Sequence, residues 1–441
     1  MTADDRVFDD RATLRLCTAG SVDDGKSTFV GRLLHDTKSV LADQLAAVEH
    51  TSAERGFSGL DLSLLVDGLR AEREQGITID VAYRYFATPT RTFILADTPG
   101  HVQYTRNTVT GMSTSQVVVL LVDARNGVVE QTLRHLTVAS LLGIRTVILA
   151  VNKMDLVDYS EDVFTAIRTE FATRCAQLGI TDAYAVPISA KTGENVTDQS
   201  AVPTGEAPGT SWYDGPSVLE LLESIPVHAG RALDLDFRFH IQYVLRDHAS
   251  DYRAYAGRVS AGSIAVGETI TAPGGRTATV VAIDTSDGLG GAGAADEAQR
   301  AQAGDSVALR LDTEIDLARG DLLTAGTRPE EVREFAATVV GLTDTPLTTG
   351  KTVKLRYGTS LVRARVVSVD RIVDIDSPEA DRVGEAELSV GLNDIAHVRI
   401  QTAQELPVEP YEARGAVGNF LLIDQASGDT LAAGFVGTRL R

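Results

Sequence analysis

The chain has little of several features that would direct its interpretation elsewhere. Only two of its 441 residues are cysteine, Cys17 and Cys175, and neither has metal-ligand spacing around it, so two reduced core thiols are expected. No apolar run approaches the ~20 residues that a membrane span requires. The N-terminus is acidic and lacks a basic region followed by an apolar core, so we predict no signal peptide and a cytoplasmic location.

Positive charge is also scarce. Lysine and arginine number 41 against 61 aspartates and glutamates, a net charge of −20. The deficit is not local, because residues 231–441 contain 22 basic and 31 acidic side chains. A chain that is acidic throughout lacks the long-range field that attracts nucleic acid, although a local basic patch is still compatible with it. Nucleic acid is therefore not an expected partner.

The pattern of apolar residues in the sequence changes near residue 230. Before it, apolar strand-like runs such as "TLRLCTAG", "TFILADTPG" and "RTVILAVNKMD" alternate with helix-like periods, and "LSLLVDGLRAEREQG" belongs to a helical insertion. After it, short β-branched runs follow one another without helices. We predict a flexible N-terminus at 1–12, an α/β P-loop domain with a mostly parallel sheet and helices on both faces at 13–230, and antiparallel β-barrels at 231–330 and 331–441.

The stretch "GSVDDGKST" matches the phosphate-loop pattern G-x-x-x-x-G-K-[ST]. In such a loop, backbone N–H groups and a helix N-terminus bind the phosphates. Lys26 is predicted to reach the β- and γ-phosphates, and the Ser27 hydroxyl to bind Mg²⁺. Asp23 and Asp24 are unusual beside a polyanion, and we expect their side chains to point away. The nucleotide-contacting residues predicted here are Gly20, Ser21, Val22, Asp23, Asp24, Gly25, Lys26, Ser27 and Thr28.

A second motif, "DTPGH", ends a predicted strand. Asp97 is predicted to hold Mg²⁺ through water, and the Gly100 N–H to sense the γ-phosphate. His101 stands where other GTPases carry a glutamine that orients the attacking water, so we assign it water positioning, against the alternative of a surface or packed histidine. The predicted nucleotide-contacting residues of this motif are Asp97, Thr98, Pro99, Gly100 and His101.

"NKMD" and "SAK" select the base. Guanine offers two adjacent donors, and the Asp155 carboxylate can accept both, whereas adenine would leave that charge buried and unpaired. Asn152 is predicted to brace the loop, Lys153 to cover the ring, and the Ala190 N–H to face the guanine O6. The predicted base-side residues are Asn152, Lys153, Met154, Asp155, Ser189, Ala190 and Lys191. The nucleotide is therefore GTP or GDP.

"GITID" supplies the last element. A switch needs a hydroxyl that binds Mg²⁺ only when the γ-phosphate is present, and Thr78 is the candidate. The predicted catalytic residues are thus Lys26, Thr78, Gly100 and His101, and the predicted metal ligands are Ser27, Thr78 and Asp97. No Ser/His/Asp, Cys/His or zinc-ligand arrangement stands out elsewhere, and no second phosphate loop follows.

With these motifs in order, the chain resembles the translation-factor GTPases, elongation factor Tu and elongation factor one-alpha. "LVDGLRAEREQGITIDVAYRYF", "FILADTPGHVQYTRNTVTG" and "GNFLLID" resemble more closely the family of GTP-binding large subunits of sulfate adenylyltransferase. This resemblance implies a partner, a smaller catalytic subunit that binds ATP and sulfate and forms adenylylsulfate and pyrophosphate, while GTP hydrolysis on this chain drives that step. Some members carry a fused adenylylsulfate kinase, and none is expected in these 441 residues.

Two other functions fit the same motifs. A translation factor delivering aminoacyl-tRNA would have the same fold, but its barrels would present basic, RNA-facing surfaces, and the excess of acidic residues over 231–441 argues against that. A regulatory GTPase that binds partners without coupled chemistry is the other alternative.

Overall fold

The computed structural model describes residues 13–54, 60–66, 81–101, 104–197, 209–226, 231–247, 252–285, 297–375, 380–383, 388–412 and 417–440. The chain divides into two compact units, Met1–Val227 and His228–Arg441. The predicted flexible N-terminus and Thr78 lie outside the described residues.

The first unit is built on a six-stranded sheet. Its strands are β1 Thr13–Gly20, β2 Ala82–Ala87, β3 Thr92–Asp97, β4 Val117–Asp123, β5 Thr146–Asn152 and β6 Asp182–Pro187. They are ordered β2-β3-β1-β4-β5-β6, and all neighbours are parallel except β2 and β3. Every residue of β4 and β5 is buried, which explains their uninterrupted apolar runs. The predicted α/β class is confirmed.

Six α-helices accompany this sheet in the described residues. They are α1 Lys26–Asp36, α2 Ala42–Glu54, α3 Thr105–Ser113, α4 Glu130–Leu141, α5 Glu161–Gln177 and α6 Val218–Ser224. The Ser160 side chain caps the start of α5, and Ser217 and Glu220 form a reciprocal capping box at α6. None of the described helices combines the length and apolar character needed to cross a bilayer.

The sequence interpretation was wrong at one described segment of this unit and incomplete at another. Helical periodicity was expected in "LSLLVDGLRAEREQG", but Leu62–Leu65 forms a single 3-10 turn, and residues 67–80 lie outside the described part. Packing decides this: the Leu62 carbonyl approaches α1 so closely that a Cβ at Gly31 would lie 2.0 Å from its oxygen. Strand β2 was not predicted, and it pairs antiparallel at the edge of the sheet.

The second unit consists of two antiparallel β-barrels, as predicted. Its strands are β7 Phe237–Asp247, β8 Tyr252–Ala261, β9 Ser263–Ala265, β10 Thr269–Thr271, β11 Thr277–Thr285, β12 Glu297–Ala298, β13 Arg300–Gln302, β14 Ser306–Leu311, β15 Leu322–Ala325, β16 Glu330–Gly341, β17 Leu347–Thr348, β18 Thr352–Tyr357, β19 Ser360–Val373, β20 Arg382–Val383, β21 Ser389–Val390, β22 Ile395–Val408, β23 Asn419–Ile423 and β24 Thr430–Val436. The first barrel, β10-β15-β7-β8-β14-β11, closes through β10 and β11. The second barrel, β18-β23-β24-β16-β22-β19, closes through β18 and β19. Each has its own core, around Phe239 and Leu309 in the first and Ile400 and Leu422 in the second.

An ion pair joins the two barrels. The Arg238 guanidinium, 6% exposed, donates to both carboxylate oxygens of Glu409 at 2.8 and 2.9 Å. The Ser360 hydroxyl of the second barrel donates to the Gly320 carbonyl oxygen of the first at 2.9 Å. The barrels therefore pack as one unit. The finer domain boundary predicted between residues 330 and 331 stays a prediction.

A candidate guanine nucleotide site

The predicted motifs meet at one edge of the parallel sheet. Gly20, Asp97 and Asn152 are the last residues of β1, β3 and β5, and Ser189 follows the end of β6. The carboxyl ends of parallel strands lie at the same edge, where ligands of doubly wound sheets bind. The fold thus brings together segments that are far apart in the sequence.

A cleft of about 490 Å³ opens at this edge. It is lined by Val22, Asp23, Gly25, Lys26, Ser27, Thr28, Gly100, His101, Arg125 and Lys153. Eight of these ten residues belong to the predicted phosphate-side motifs, so the cleft is the phosphate end of the site. The base-side residues Asp155, Ser189, Ala190 and Lys191 are not part of its lining.

Gly25 is required by its backbone and by its neighbour. Its φ is +89°, a conformation that residues other than glycine rarely adopt. In addition, an added Cβ would lie 2.3 Å from the Asn152 amide nitrogen. Helix α1 begins at the next residue, so its N-terminal amides lie at the cleft.

The two aspartates of the phosphate loop behave differently. The Asp24 carboxylate turns inward, where it accepts hydrogen bonds from the backbone N–H groups of Ser21 and Asp123. Burial raises the pKa of Asp24, and the bond from Ser21 opposes that shift. Asp23 lines the cleft instead. The expectation that the side chain points away therefore holds for Asp24, and it stays a prediction for Asp23.

Lys26 is almost fully buried beneath the loop. Its ammonium donates to the carbonyl oxygens of Gly20 at 3.1 Å and Ser21 at 2.7 Å. Burial lowers the Lys26 pKa, while Asp24 and then Asp97 favour its charged form. Gly100 lies directly against this group, because a Cβ there would be 2.3 Å from the Lys26 nitrogen. The "DTPG" turn and the phosphate loop are therefore in contact.

Asp97 is fixed at the end of β3. Its buried carboxylate accepts a hydrogen bond from the Thr18 hydroxyl at 2.9 Å, and the Thr98 hydroxyl donates to the Thr18 carbonyl oxygen at 2.6 Å. His101 lines the cleft and makes an edge contact with the Tyr104 ring, 6.1 Å between centroids. His101 thus lines the same phosphate end of the cleft as Gly100 and Lys26.

Asn152 connects three loops. Its amide nitrogen donates to the Asp24 carbonyl oxygen at 2.8 Å, and its amide oxygen accepts from the Ala190 N–H at 3.0 Å. The predicted bracing role matches these contacts. The Ala190 N–H that was expected to face a base is engaged by Asn152 in this structure, because the two loops pack directly together.

The remaining base-side residues are held by short contacts. The Ser189 hydroxyl donates to Asp155 Oδ1 at 2.8 Å, which orients that carboxylate. Lys153 has a left-handed backbone with φ +62°, and its side chain lines the cleft and donates to the Asp23 carbonyl oxygen. Met154 is fully buried, and its predicted contact with the nucleotide stays a prediction.

Sequence reasoning missed two residues of the site. Asp123, the buried last residue of β4, lies 3.0 Å from the Lys153 ammonium and 2.6 Å from the Arg125 guanidinium. Burial alone would raise the Asp123 pKa, but the hydrogen bonds from Arg125 and then Lys153 hold it well below its usual range. Arg125 itself lines the cleft. The signal available was an aspartate at the carboxyl end of another parallel strand.

Two family models match the chain. Residues 11–230 match the elongation factor Tu GTP binding domain, and residues 334–437 match the GTP-eEF1A C-terminal domain-like family. The first match makes the ligand of the cleft a guanine nucleotide, as predicted.

Solved structures agree with this fold. The GTP-bound GTPase-like domain of Ski7 from S. cerevisiae aligns over 99% of both chains, with a TM-score of 0.53 and 18% identity. The same domain bound to GDP and inorganic phosphate gives a TM-score of 0.52 over 97% of both chains, again at 18% identity. At this identity the likeness concerns the fold alone.

Curated relatives are much more similar in sequence. The chain is 46% identical to a bifunctional enzyme CysN/CysC of Mycobacterium tuberculosis, over 96% of this chain and 67% of that protein. It is 45% identical to sulfate adenylyltransferase subunit 1 of Bacteroides fragilis, over 97% and 86% of the two chains. The same subunit of Methylorubrum populi is 44% identical, over 98% and 88%. The predicted resemblance and enzyme class are confirmed, and the chain belongs to the sulfate adenylyltransferase subunit 1 family.

Proposed function

We propose that this chain hydrolyses GTP to drive the formation of adenylylsulfate and pyrophosphate from ATP and sulfate on a separate, smaller catalytic subunit. The observation that carries the proposal is the connection of the phosphate loop, the "NKMD" loop and the "SAK" loop through the two hydrogen bonds of Asn152. Such a connection holds the base-binding loops and the phosphate loop in a fixed position relative to each other. Membership of the family supplies the reaction.

Base selection rests on Asp155 in this proposal. Its carboxylate, oriented by Ser189, accepts the two adjacent donors of guanine, and Lys153 covers the ring. Adenine has no such donor pair and would leave the carboxylate without a partner.

The phosphate end carries out hydrolysis. Lys26, held at the loop carbonyls, is placed to bind the β- and γ-phosphates, and the amides of Gly25 to Thr28 surround them. His101 orients water beside Gly100, whose N–H senses the γ-phosphate.

Mg²⁺ belongs to the same proposal. Ser27 lines the cleft and the Asp97 carboxylate is fixed by Thr18, while the described residues contain no cluster of three or more His, Cys, Asp or Glu ligands. This donor set suits an ion that takes most of its ligands from water and from nucleotide phosphates. Ser27, Asp97 and Thr78 would hold it, and the bound ion would neutralise phosphate charge.

GTP hydrolysis is coupled to adenylylsulfate formation through a conformational change of this chain. A nucleotide can shift an equilibrium only through different affinities for its two states, and the segments around Gly100 and Thr78 are the proposed source of that difference. Sequence motifs for ATP or sulfate are absent from this chain, so both substrates are assigned to the smaller subunit. A cytoplasmic setting is part of the proposal, supported by two free, buried cysteines.

The test mixes the purified chain with the smaller subunit of the same organism and measures radiolabelled sulfate incorporated into adenylylsulfate. We expect synthesis to rise with GTP for the wild type and for Lys38→Ala, an exposed lysine of the same unit. Lys26→Ala should lose the stimulation because it binds GTP weakly. Synthesis indifferent to GTP, or synthesis by the isolated chain, contradicts the proposal.

A further inference from the structure

The outer surface of the second barrel carries an unusual concentration of positive charge. Side chains alternate along β18 and β19, with Val353, Leu355 and Val362 buried in the barrel core. Six of the outward positions on β18, β19 and the neighbouring β23 form what we call the basic face, and the exposed Thr352 and Asn419 beside them are uncharged. The residues of the basic face are Lys354, Arg356, Leu361, Arg363, Arg365 and Leu421.

Strand register places these side chains in rows. Lys354 lies directly across from Arg363, so two positive charges are neighbours on adjacent strands. Arg356 pairs with Leu361 on one side and with Leu421 on the other. The leucines are 49% and 36% exposed. The basic face is therefore four cations around an apolar pair.

No carboxylate of the chain neutralises this face in the described residues. The ion pairs of the second barrel found there involve other cations, such as Arg333 with Glu405 and Arg399 with Glu334. Residues 351–365 contain five basic and no acidic side chains, in a chain whose net charge is −20. Like charges directly opposite each other destabilise a sheet, so the stability of the strand pair does not explain why Lys354 faces Arg363.

We propose that the basic face is a docking surface for an acidic, partly apolar surface of the smaller catalytic subunit. This inference rests on the proposed function and names where its partner binds. Three of the four cations are arginine, which is enriched at protein interfaces and among their energetic centres. Carboxylates on the partner complement charges that the chain itself leaves unpaired.

A protein fits this face better than RNA. The two exposed leucines give a protein partner apolar area to bury, and they give phosphate groups nothing. The six residues include no aromatic side chain on which a base could stack. The acidity of the whole chain opposes the approach of a polyanion.

The experiment measures the affinity of the full-length chain for the purified smaller subunit by titration calorimetry at low and high salt. The test variant is Arg356→Glu/Arg363→Glu. The matched control is Arg258→Glu/Arg300→Glu, which reverses two exposed arginines of the first barrel, outside the basic face. Circular dichroism and GTP binding verify folding of each variant.

We expect the basic-face variant to bind the subunit at least ~10-fold more weakly, and the control within about twofold of the wild type. Arg356→Lys/Arg363→Lys should retain most of the affinity, with the same loss at high salt as the wild type. Equal binding by wild type and basic-face variant overturns the inference and leaves the proposed function intact. A wild-type chain that binds no smaller subunit overturns both. Loss of binding to a single-stranded RNA oligonucleotide, with subunit binding unchanged, also overturns the inference.

Discussion

The two units use buried charge in different ways. In the first unit, the Lys26 ammonium is held by backbone carbonyls five and six residues before it in the chain. In the second, Arg238 and Glu409 are held by each other across 171 residues. A charged side chain that is bound to backbone groups at a cleft can exchange those groups for ligand atoms. The two side chains of an ion pair between barrels can bind a ligand only if the barrels separate. The first arrangement suits a binding site and the second suits structure.

The largest expected effect is on base preference. Asp155→Asn replaces an acceptor by a donor, which fits the 2-oxo group of xanthine and not the amine of guanine. We predict that the ratio of GTP to XTP affinity falls roughly 10³-fold, because buried hydrogen-bonding sites reject mismatched partners strongly. Competition binding with GTP, XTP and ATP measures this, with Asp158→Asn as the control. Unchanged GTP preference would remove Asp155 from the base site.

Breaking the ion pair between the two barrels should lower the stability of the second unit and leave GTP binding unchanged. Arg238→Ala leaves the Glu409 carboxylate without its partner, and we predict that the two-barrel unit loses about 3 kcal/mol of unfolding free energy. Arg333→Ala breaks an exposed pair and should cost less than about 1 kcal/mol. Segment-resolved hydrogen exchange on the whole chain reports both. Equal losses in the two variants, or a weakened GTP affinity in Arg238→Ala, would contradict the contrast between the units.

Hydrolysis should depend on His101 separately from binding. We predict that His101→Ala hydrolyses GTP about 100-fold more slowly in a single turnover, with GTP affinity within about twofold of wild type, because water positioning acts in the transition state. His35→Ala is the control, because His35 lies in the last turn of α1, at the end opposite to the phosphate loop. Identical rates for wild type and His101→Ala would return His101 to a packing role.

The smallest effect concerns acid. His135 in α4 is completely buried, and burial, followed by the charges of Lys26 and Arg134, lowers its pKa to about 3. The unfolded chain binds a proton near pH 6.5 and the folded unit does not, so stability is full above that pH and falls as the pH drops. Between pH 7 and about pH 5 the first unit should lose about 2 kcal/mol from this group.

Hydrogen exchange at the two pH values measures this loss. His135→Asn should flatten the dependence in the first unit alone. His240 in the second unit has its pKa lowered to about 4, mainly by burial. Because this value is also far below 6.5, we expect a loss of similar size in the two-barrel unit over the same pH range. Stability of both units that is unchanged between these pH values would contradict the prediction.

Local patterns predicted much of the first unit and less of the second. Strand β1 and the loop at Gly25 follow from an apolar run and a motif, since their conformations depend on neighbouring residues. The 3-10 turn at Leu62 depends on contact with Gly31, and the ion pair of Arg238 depends on pairing with a distant residue, so no local pattern announces them. Asp123 was missed because no motif includes it, although its place at a strand end was a usable signal.

In the proposed function, GTP hydrolysis shifts the equilibrium of adenylylsulfate formation and does not only raise its rate. The decisive measurement follows radiolabelled sulfate incorporation and phosphate release in one reaction, with both subunits present, until synthesis stops. We predict that the final amount of adenylylsulfate rises with the GTP consumed, and that a non-hydrolysable analogue gives only the amount reached without GTP. A final amount that is the same with GTP, with the analogue and without nucleotide would contradict it.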